Sequence, residues 1–285
     1  MNSALPTPTV SSPNTVRMNK IRFKSLSSGS CGNCYFLGSF DDKGNCECAV
    51  LIDAGVSPRR LKKELAVDGI SPEIISGILV THDHYDHVRA LGSYCKLHRK
   101  PVWTTPKLCI ALMNKRLTGE YLSSCRRHLA SGWNEIEQGR ILAKYFTVPH
   151  DATQTVGYAI MIDGYKFVIM TDIGRMTREA LDLASQADTV VIESNYDPVM
   201  LKNGPYPPEL QERIRNGFGH LSNQECAMAV AEFAHPGLRN VFLCHLSEHN
   251  NTPELARDCT RPVLDPAVRL VPLPRECPSV WFNLD

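Results

Sequence analysis

His82, Asp83, His84, Tyr85, Asp86 and His87 put three histidines and two aspartates into one unbroken run. Imidazole nitrogens mixed with carboxylate oxygens suit Zn²⁺, and equally Mn²⁺ or Fe, so the chemistry they point to is metal-assisted hydrolysis. The run follows Gly77–Thr81, a short apolar segment that reads as a strand, and a strand-to-helix turn can aim closely spaced side chains at one focus. The ordinary alternative, a solvated loop with a chance run of histidines, sits poorly with this density of donors. The run alone cannot complete two coordination spheres. Further candidates stand where other strands are expected to end: His150 in Val148-Pro149-His150-Asp151-Ala152, Asp172 in Met170-Thr171-Asp172-Ile173-Gly174, and His245 closing Val241-Phe242-Leu243-Cys244-His245. Taken singly, each could be no more than a turn former.

The elements that must carry these residues come in two rounds. Ile21–Leu26, Cys34–Leu37 and Cys48–Ile52 read as strands, separated by Gly29, Gly32 and an Asp41–Asn45 turn, which predicts antiparallel hairpins. Ser57 and Pro58 open a helix running to about Val67, and after the histidine run a second helix is expected through Leu97. Strand Val102–Trp103 and helix Pro106–Arg116 follow. The second round comprises strands Ile141–Val148, Val156–Ile162 and Lys166–Met170, helix Thr177–Gln186 and strand Thr189–Glu193. Ser194–Gly219 reads as a loop around a short helix near Glu209–Ile214, and is the candidate for a lid or substrate arm. Ser222-Asn223-Gln224-Glu225 is a capping box opening a helix to about Ala234. Strand Asn240–Cys244 and a last helix from Thr252-Pro253 complete the pattern. No shift in composition marks a linker, so one domain is expected over residues 18–285, after a disordered tail of residues 1–17 rich in Ser, Pro and Thr. Strands followed by helices, twice over, suggest two packed sheets with helices outside.

Net charge is +1, from 31 basic against 30 acidic residues, so no global field draws in a polyanion. The apolar runs are too short to span a membrane, and no secretory signal opens the chain, which favours a cytoplasmic protein with no membrane partner. Eleven cysteines without framework spacing fit reduced thiols. Among them Cys31, Cys34, Cys46 and Cys48 form a C-x-x-C…C-x-C series that could hold a structural zinc or stand as free hairpin thiols.

H-x-H-x-D-H followed by a lone His, an Asp and a late His in this order resembles the metallo-β-lactamase superfamily. That resemblance implies an α/β fold, an αββα sandwich of two mixed β-sheets with helices outside and metals at one edge. It implies two divalent metal ions, one held by His82, His84 and His150 and the other by Asp86, His87 and His245, with Asp172 bridging. An aspartate there, rather than a cysteine, is similar to the nuclease and hydrolase branches. Ser27–Asn33, Leu51–Gly55, Gly219–Asn223 and His245–Asn251 are similar to signatures of the YycJ/WalJ/VicX group, which implies a 5′-to-3′ DNA exonuclease-like activity. Cys31, where many relatives carry Ser, and the N-terminal tail depart from that pattern. The stretch from Asp172 to His245 leaves no room for the inserted domain of β-CASP nucleases such as RNase J.

Two metals would acidify a shared water, whose hydroxide attacks phosphorus in line, with Asp86 serving both as ligand and as part of the catalytic set. His220 is the candidate general acid, similar in place to a non-ligand His of tRNase Z-type nucleases; otherwise it helps cap the following helix. Asp53 would fix the tautomer of a ligand His or act as a plain turn residue. Asp83 is expected to point away from the metals, and His249 to be a loop residue. Ser30, Gly32 and Asn33, in the Gly29–Asn33 turn, could present backbone N–H groups to a substrate phosphate. Arg59, Arg60, Lys62 and Lys63, and separately Arg126-Arg127-His128, are either solvated surface or a phosphate track. The leading expectation is a phosphodiesterase acting on nucleic acid, DNA before RNA. A small-molecule hydrolase of the same fold, such as a glyoxalase II-like thioesterase or a lactonase, is the alternative, and a metal-free binding protein is a third.

Overall fold

The computed structural model describes residues 19–285, and the tail expected over residues 1–17 lies outside the described residues. Strands β1 (Lys20–Gly29), β2 (Gly32–Phe40) and β3 (Cys46–Ile52) form the antiparallel part of one sheet. Strands β4 (Ile75–Leu79), β5 (Val102–Thr104) and β6 (Arg126–His128) extend it in parallel. The second sheet begins with β7 (Asn134–Glu137), β8 (Ile141–Val148), β9 (Thr155–Ile162) and β10 (Tyr165–Met170), all antiparallel. It continues in parallel through β11 (Thr189–Glu193), β12 (Asn240–Cys244) and β13 (Arg269–Pro272). A short β14 (Phe282–Asn283) returns to the first sheet beside β1, so each sheet has seven strands. This is the αββα sandwich expected.

Side-chain alternation makes the layers. Along β3, Val50 and Ile52 enter the core between the sheets, while Ala49 and Leu51 face the helices outside. Along β10, Phe167 and Ile169 point inward and Val168 and Met170 outward. Both faces are buried, which is why these strands read as continuous apolar runs. Phe23 of the first sheet meets Phe167 and Phe242 of the second at ring centroid distances of 5.3 and 5.1 Å. The outer helices dock by their apolar stripes. Pro58–Ala66 is capped by the Ser57 side chain, which accepts from the Arg60 N–H, and buries Leu61 and Leu65. Asn223–Phe233 starts from the Ser222/Glu225 capping box and buries Val230 and Phe233.

Several boundaries differ from the sequence expectation. The helix expected through Leu97 is split into Tyr85–Val88 and Leu91–His98, and the next ends at Met113 rather than Arg116. The helix Gly119–Cys125 and strands β6 and β7 were not foreseen: Arg126–His128 is polar and exposed, with no alternation to betray it. Residues 194–219 hold two helices, Pro198–Asn203 and Pro208–Arg215, each opened by a proline in its first turn. Neither basic cluster lines the cleft described below: Arg126–His128 is an edge strand, and Arg60 donates to the carbonyls of Leu26 and Glu276. The cysteine series shares no focus. Cys34 and Cys46 pack under the outer helices, Cys48 lies between the sheets and Cys31 is exposed, so a common zinc has no geometry. All eleven cysteines are free. No helix among the described residues is long and apolar enough to cross a membrane.

Candidate metal centre

Strands β3, β10, β11 and β12 all end at one edge of the sandwich, and each releases a polar residue there: Asp53, Asp172, Glu193 and His245. The histidine run follows β4 at the same edge. Two of these positions are held in left-handed backbone, Asp53 at φ 62° and His245 at φ 54°. Non-glycine residues take that conformation at a cost, and it clusters where side chains must be aimed.

The expected ligands converge. Ring nitrogens of His82, His84 and His150 lie within 4.8 Å of one another, and so do the donor atoms of Asp86, His87 and His245. Asp172 sits between the two groups. Its Oδ2 is 3.2 Å from His87 Nε2, and its Oδ1 is 3.3 Å from His245 Nδ1 and 3.7 Å from His150 Nε2. Among the described residues, His82 Nε2 and His245 Nε2 are buried without a hydrogen-bond partner. Buried nitrogens rarely go unpartnered, and here they face a set of carboxylates and imidazoles, the donor chemistry of a divalent metal. The donor set fits a metal.

A second layer fixes the rings. His87 Nδ1 is 2.7 Å from Asp53 Oδ2, and Asp53 also accepts from the Thr81 backbone N–H and hydroxyl. His150 Nδ1 donates to the Gly219 carbonyl at 2.8 Å, His82 Nδ1 is 3.0 Å from the Thr81 hydroxyl, and His245 Nδ1 is 2.9 Å from Glu193. Anchoring Nδ1 leaves Nε2 as the coordinating nitrogen. Asp53 thus lies within hydrogen-bond reach of the His87 ring and of Thr81 at once. Asp83 points away, accepting from Thr153 and pairing with Lys115 at 3.1 Å.

Glycines let this edge close up. His87 O accepts from Ala54 N–H, and a Cβ on Gly55 would stand 1.8 Å from the Asp86 carbonyl. Gly32, at φ 144°, faces Gly55 O across 2.8 Å from where its own Cβ would be. Within the expected phosphate turn, Ser30 lines the cleft, whereas Gly32 and Asn33 are not among its lining residues. The buried Asn33 amide donates to Gly29 O and Asp86 Oδ2 and lies 2.8 Å from His87 Nε2.

Glu193 is the residue that sequence reading missed. Fully buried, it offers Oε1 to His220 Nδ1 at 2.7 Å and to His245 Nδ1 at 2.9 Å, while Oε2 accepts from the N–H groups of Ile173 and Leu221. Its only sequence signal is an acidic residue closing an otherwise apolar strand. Burial would depress His220, but the Glu193 carboxylate overcomes it and raises the ring above its ordinary value. Burial likewise works against His245, yet Asp172 and Glu193 lift it to about 9. His82 and His150 go the other way, lowered chiefly by burial, and so offer neutral nitrogens. Burial opposes ionisation of Asp172, but His245, His87 and His82 hold it well below the usual carboxylate range.

The late motifs lock this layer together. Asn223 and Asn251 exchange side-chain amide hydrogen bonds, and Ser194 Oγ donates to Asn223 Oδ1. That ties the helix after His220 to the loop after His245. The whole faces a cleft of about 390 Å³, lined by His84, Asp86, His150, His220 and His245 and also by Tyr206, Leu210 and Arg213. His249, expected as a loop residue, also lines the cleft, its ring edge-on to Tyr206 at 6.0 Å.

A family profile described as "Beta-lactamase superfamily domain" matches residues 49–245, and the chain belongs to that superfamily. Its curated relatives include the exodeoxyribonuclease WalJ of Streptococcus pneumoniae, 32% identical over 241 residues, covering 84% of this chain and 87% of the relative. The exodeoxyribonuclease YycJ of Bacillus anthracis is 31% identical over 245 residues, covering 86% and 89%. Among solved structures, the metallo-β-lactamase fold protein YhfI of Bacillus subtilis superposes with TM-score 0.66 at 13% identity, over 93% of this chain and 99% of that one. The short human tRNase Z superposes with TM-score 0.56 at 14% identity, over 91% and 98%. These two share the fold.

Proposed function

We propose that the chain is a two-metal phosphodiesterase that removes nucleotides from the ends of DNA in the cytoplasm. The observation that carries the reading is the convergence on Asp172 of His82, His84 and His150 on one side and Asp86, His87 and His245 on the other, with Nε2 orphaned on His82 and His245. Divalent ions there, Zn²⁺ or Mn²⁺ in character, would acidify a water and offset charge on a phosphate. Of the chain's own groups, Asp172 supplies the shared negative charge and the anchored rings fix where the ions sit. The Glu193 carboxylate outweighs burial and raises His220 above its ordinary value, which favours a ring whose Nε2 can hand a proton to the departing oxygen.

The substrate class rests on the site and on the named activity of the WalJ and YycJ relatives. A thioesterase of this fold would want a narrow apolar slot. This cleft is open and mixed, with Ser30, Asn195, Ser247 and His249 around the metals' edge. End-labelled single- and double-stranded DNA, RNA, a simple phosphodiester and a thioester, each with Mn²⁺ or Zn²⁺, discriminate the readings. DNA shortened from one end with mononucleotide release is the expected result; turnover of the thioester alone would overturn it.

A further inference from the structure

We propose that helix Pro208–Arg215 and Tyr206 before it form a nucleotide-binding wall, on which a terminal base stacks against Tyr206 and Leu210 while Arg213 takes the neighbouring phosphate. The proposal rests on the phosphodiesterase reading and adds to it the part of the substrate held beside the metals.

Arg213 and Ile214 stand three and four residues after Leu210, on its side of the helix, Tyr206 lies just before the helix begins, and all four line the cleft. Glu209, Glu212 and Arg215 occupy the exposed face. Behind the wall, Tyr196 and Leu201 join Tyr206, Leu210 and Ile214 in a small core separate from those of the sandwich. The wall is thus a built element with its own packing. Its base is tied down where His220 N–H donates to Ile214 O, and a Cβ on Gly219 would lie 2.3 Å from the same carbonyl.

The chemistry of the face selects the ligand. A metal site needs no aromatic and aliphatic surface in the same cleft, but a nucleobase does, because its planar face is apolar and stacks on aromatic rings. Tyr206 is half-buried, and the His249 ring packs edge-on against it at 6.0 Å. Charge points the same way. Among the described residues lining the cleft, Arg213 is the one Lys or Arg side chain, set against Asp86, Asp151, Asp172 and Glu248. It now pairs with Asp151, whose Oδ1 is 3.4 Å from His150 Nε2 and 3.8 Å from His84 Nε2. A phosphate entering beside the metals meets that guanidinium, whose planar fork binds phosphate in two-pronged fashion.

The test compares kcat/KM for a short single-stranded DNA with that for methyl 4-nitrophenyl phosphate, a diester lacking both base and second phosphate. Arg213→Gln should lower the DNA-to-diester ratio roughly 10-fold, as should Tyr206→Ala, on the strength of one phosphate contact and one stacked base. Tyr206→Phe, which keeps the ring, should retain the wild-type ratio. Arg213 is largely exposed, so its variant reports on the wall even where Tyr206→Ala loosens the packing behind it. A wild-type ratio in both Arg213→Gln and Tyr206→Ala would overturn the wall alone. Wild-type protein inert toward both diesters would overturn the phosphodiesterase reading, and the wall with it.

Discussion

Asp172→Asn should lower phosphodiester turnover by at least about 10³-fold, equivalent to roughly 4 kcal/mol of transition-state stabilisation. The substitution keeps the shape of the side chain and removes its charge. Asp172 is buried at the meeting point of both donor groups, with His87 Nε2 at 3.2 Å, His245 Nδ1 at 3.3 Å and His150 Nε2 at 3.7 Å. An amide there cannot serve two cations, so metal content should fall along with activity. The protonation balance should shift as well. Burial pulls His245 down and the Asp172 and Glu193 carboxylates hold it at about 9, so without the first of these the ring should titrate lower. Elemental analysis, steady-state kinetics and an NMR titration of the ring measure the three effects. Unchanged metal content with unchanged turnover would remove Asp172 from the centre.

His220→Ala should slow DNA cleavage by about 10² to 10⁴-fold while leaving metal content at the wild-type value. A ligand histidine would lose metal, whereas a proton donor loses only the step that needs a proton. Leaving-group dependence sharpens the distinction. DNA departs as an alkoxide that must be protonated, while 4-nitrophenolate is stable without a proton, so the loss should be much smaller on a 4-nitrophenyl diester. Glu193→Gln should follow the same pattern in weaker form, because it removes the charge that raises His220 but keeps a partner for Nδ1. Its activity profile should also change with pH. Wild-type His220 stays protonated above its ordinary range and should lose its proton only as pH rises through the raised value. In Glu193→Gln that fall should come at lower pH. Equal losses on both substrates would assign His220 a structural role.

Much of this edge was legible because its chemistry is written in unusual residues. A run such as His82–His87 has few purposes, and His150, Asp172 and His245 each follow an apolar stretch short enough to be a strand. The fold was legible for a related reason. Strands buried on both faces read as compact apolar runs, and Ser57-Pro58 and Ser222–Glu225 announce the helices between them. What escaped notice depends on tertiary placement. Glu193 looks like any acidic strand end until burial and two histidines surround it. The left-handed backbone at Asp53 and His245 has no glycine to signal it. Arg213 sits among other charged residues of a short amphipathic helix, and only the fold selects it over Arg215 for the cleft. Nor did the glycine-rich surroundings of Asn33, read for their backbone N–H groups, signal that its side chain is buried against Asp86 and His87.

The central claim is that two divalent ions share this edge, and metal counting on purified protein tests it most directly. After loading with Mn²⁺ or Zn²⁺ and removal of excess ion, elemental analysis should find two ions per chain. Binding should release protons, because His245, held at about 9, must give one up to any ion it ligates. Protein that retains no divalent ion after loading, and releases no protons on titration with metal, would contradict the account.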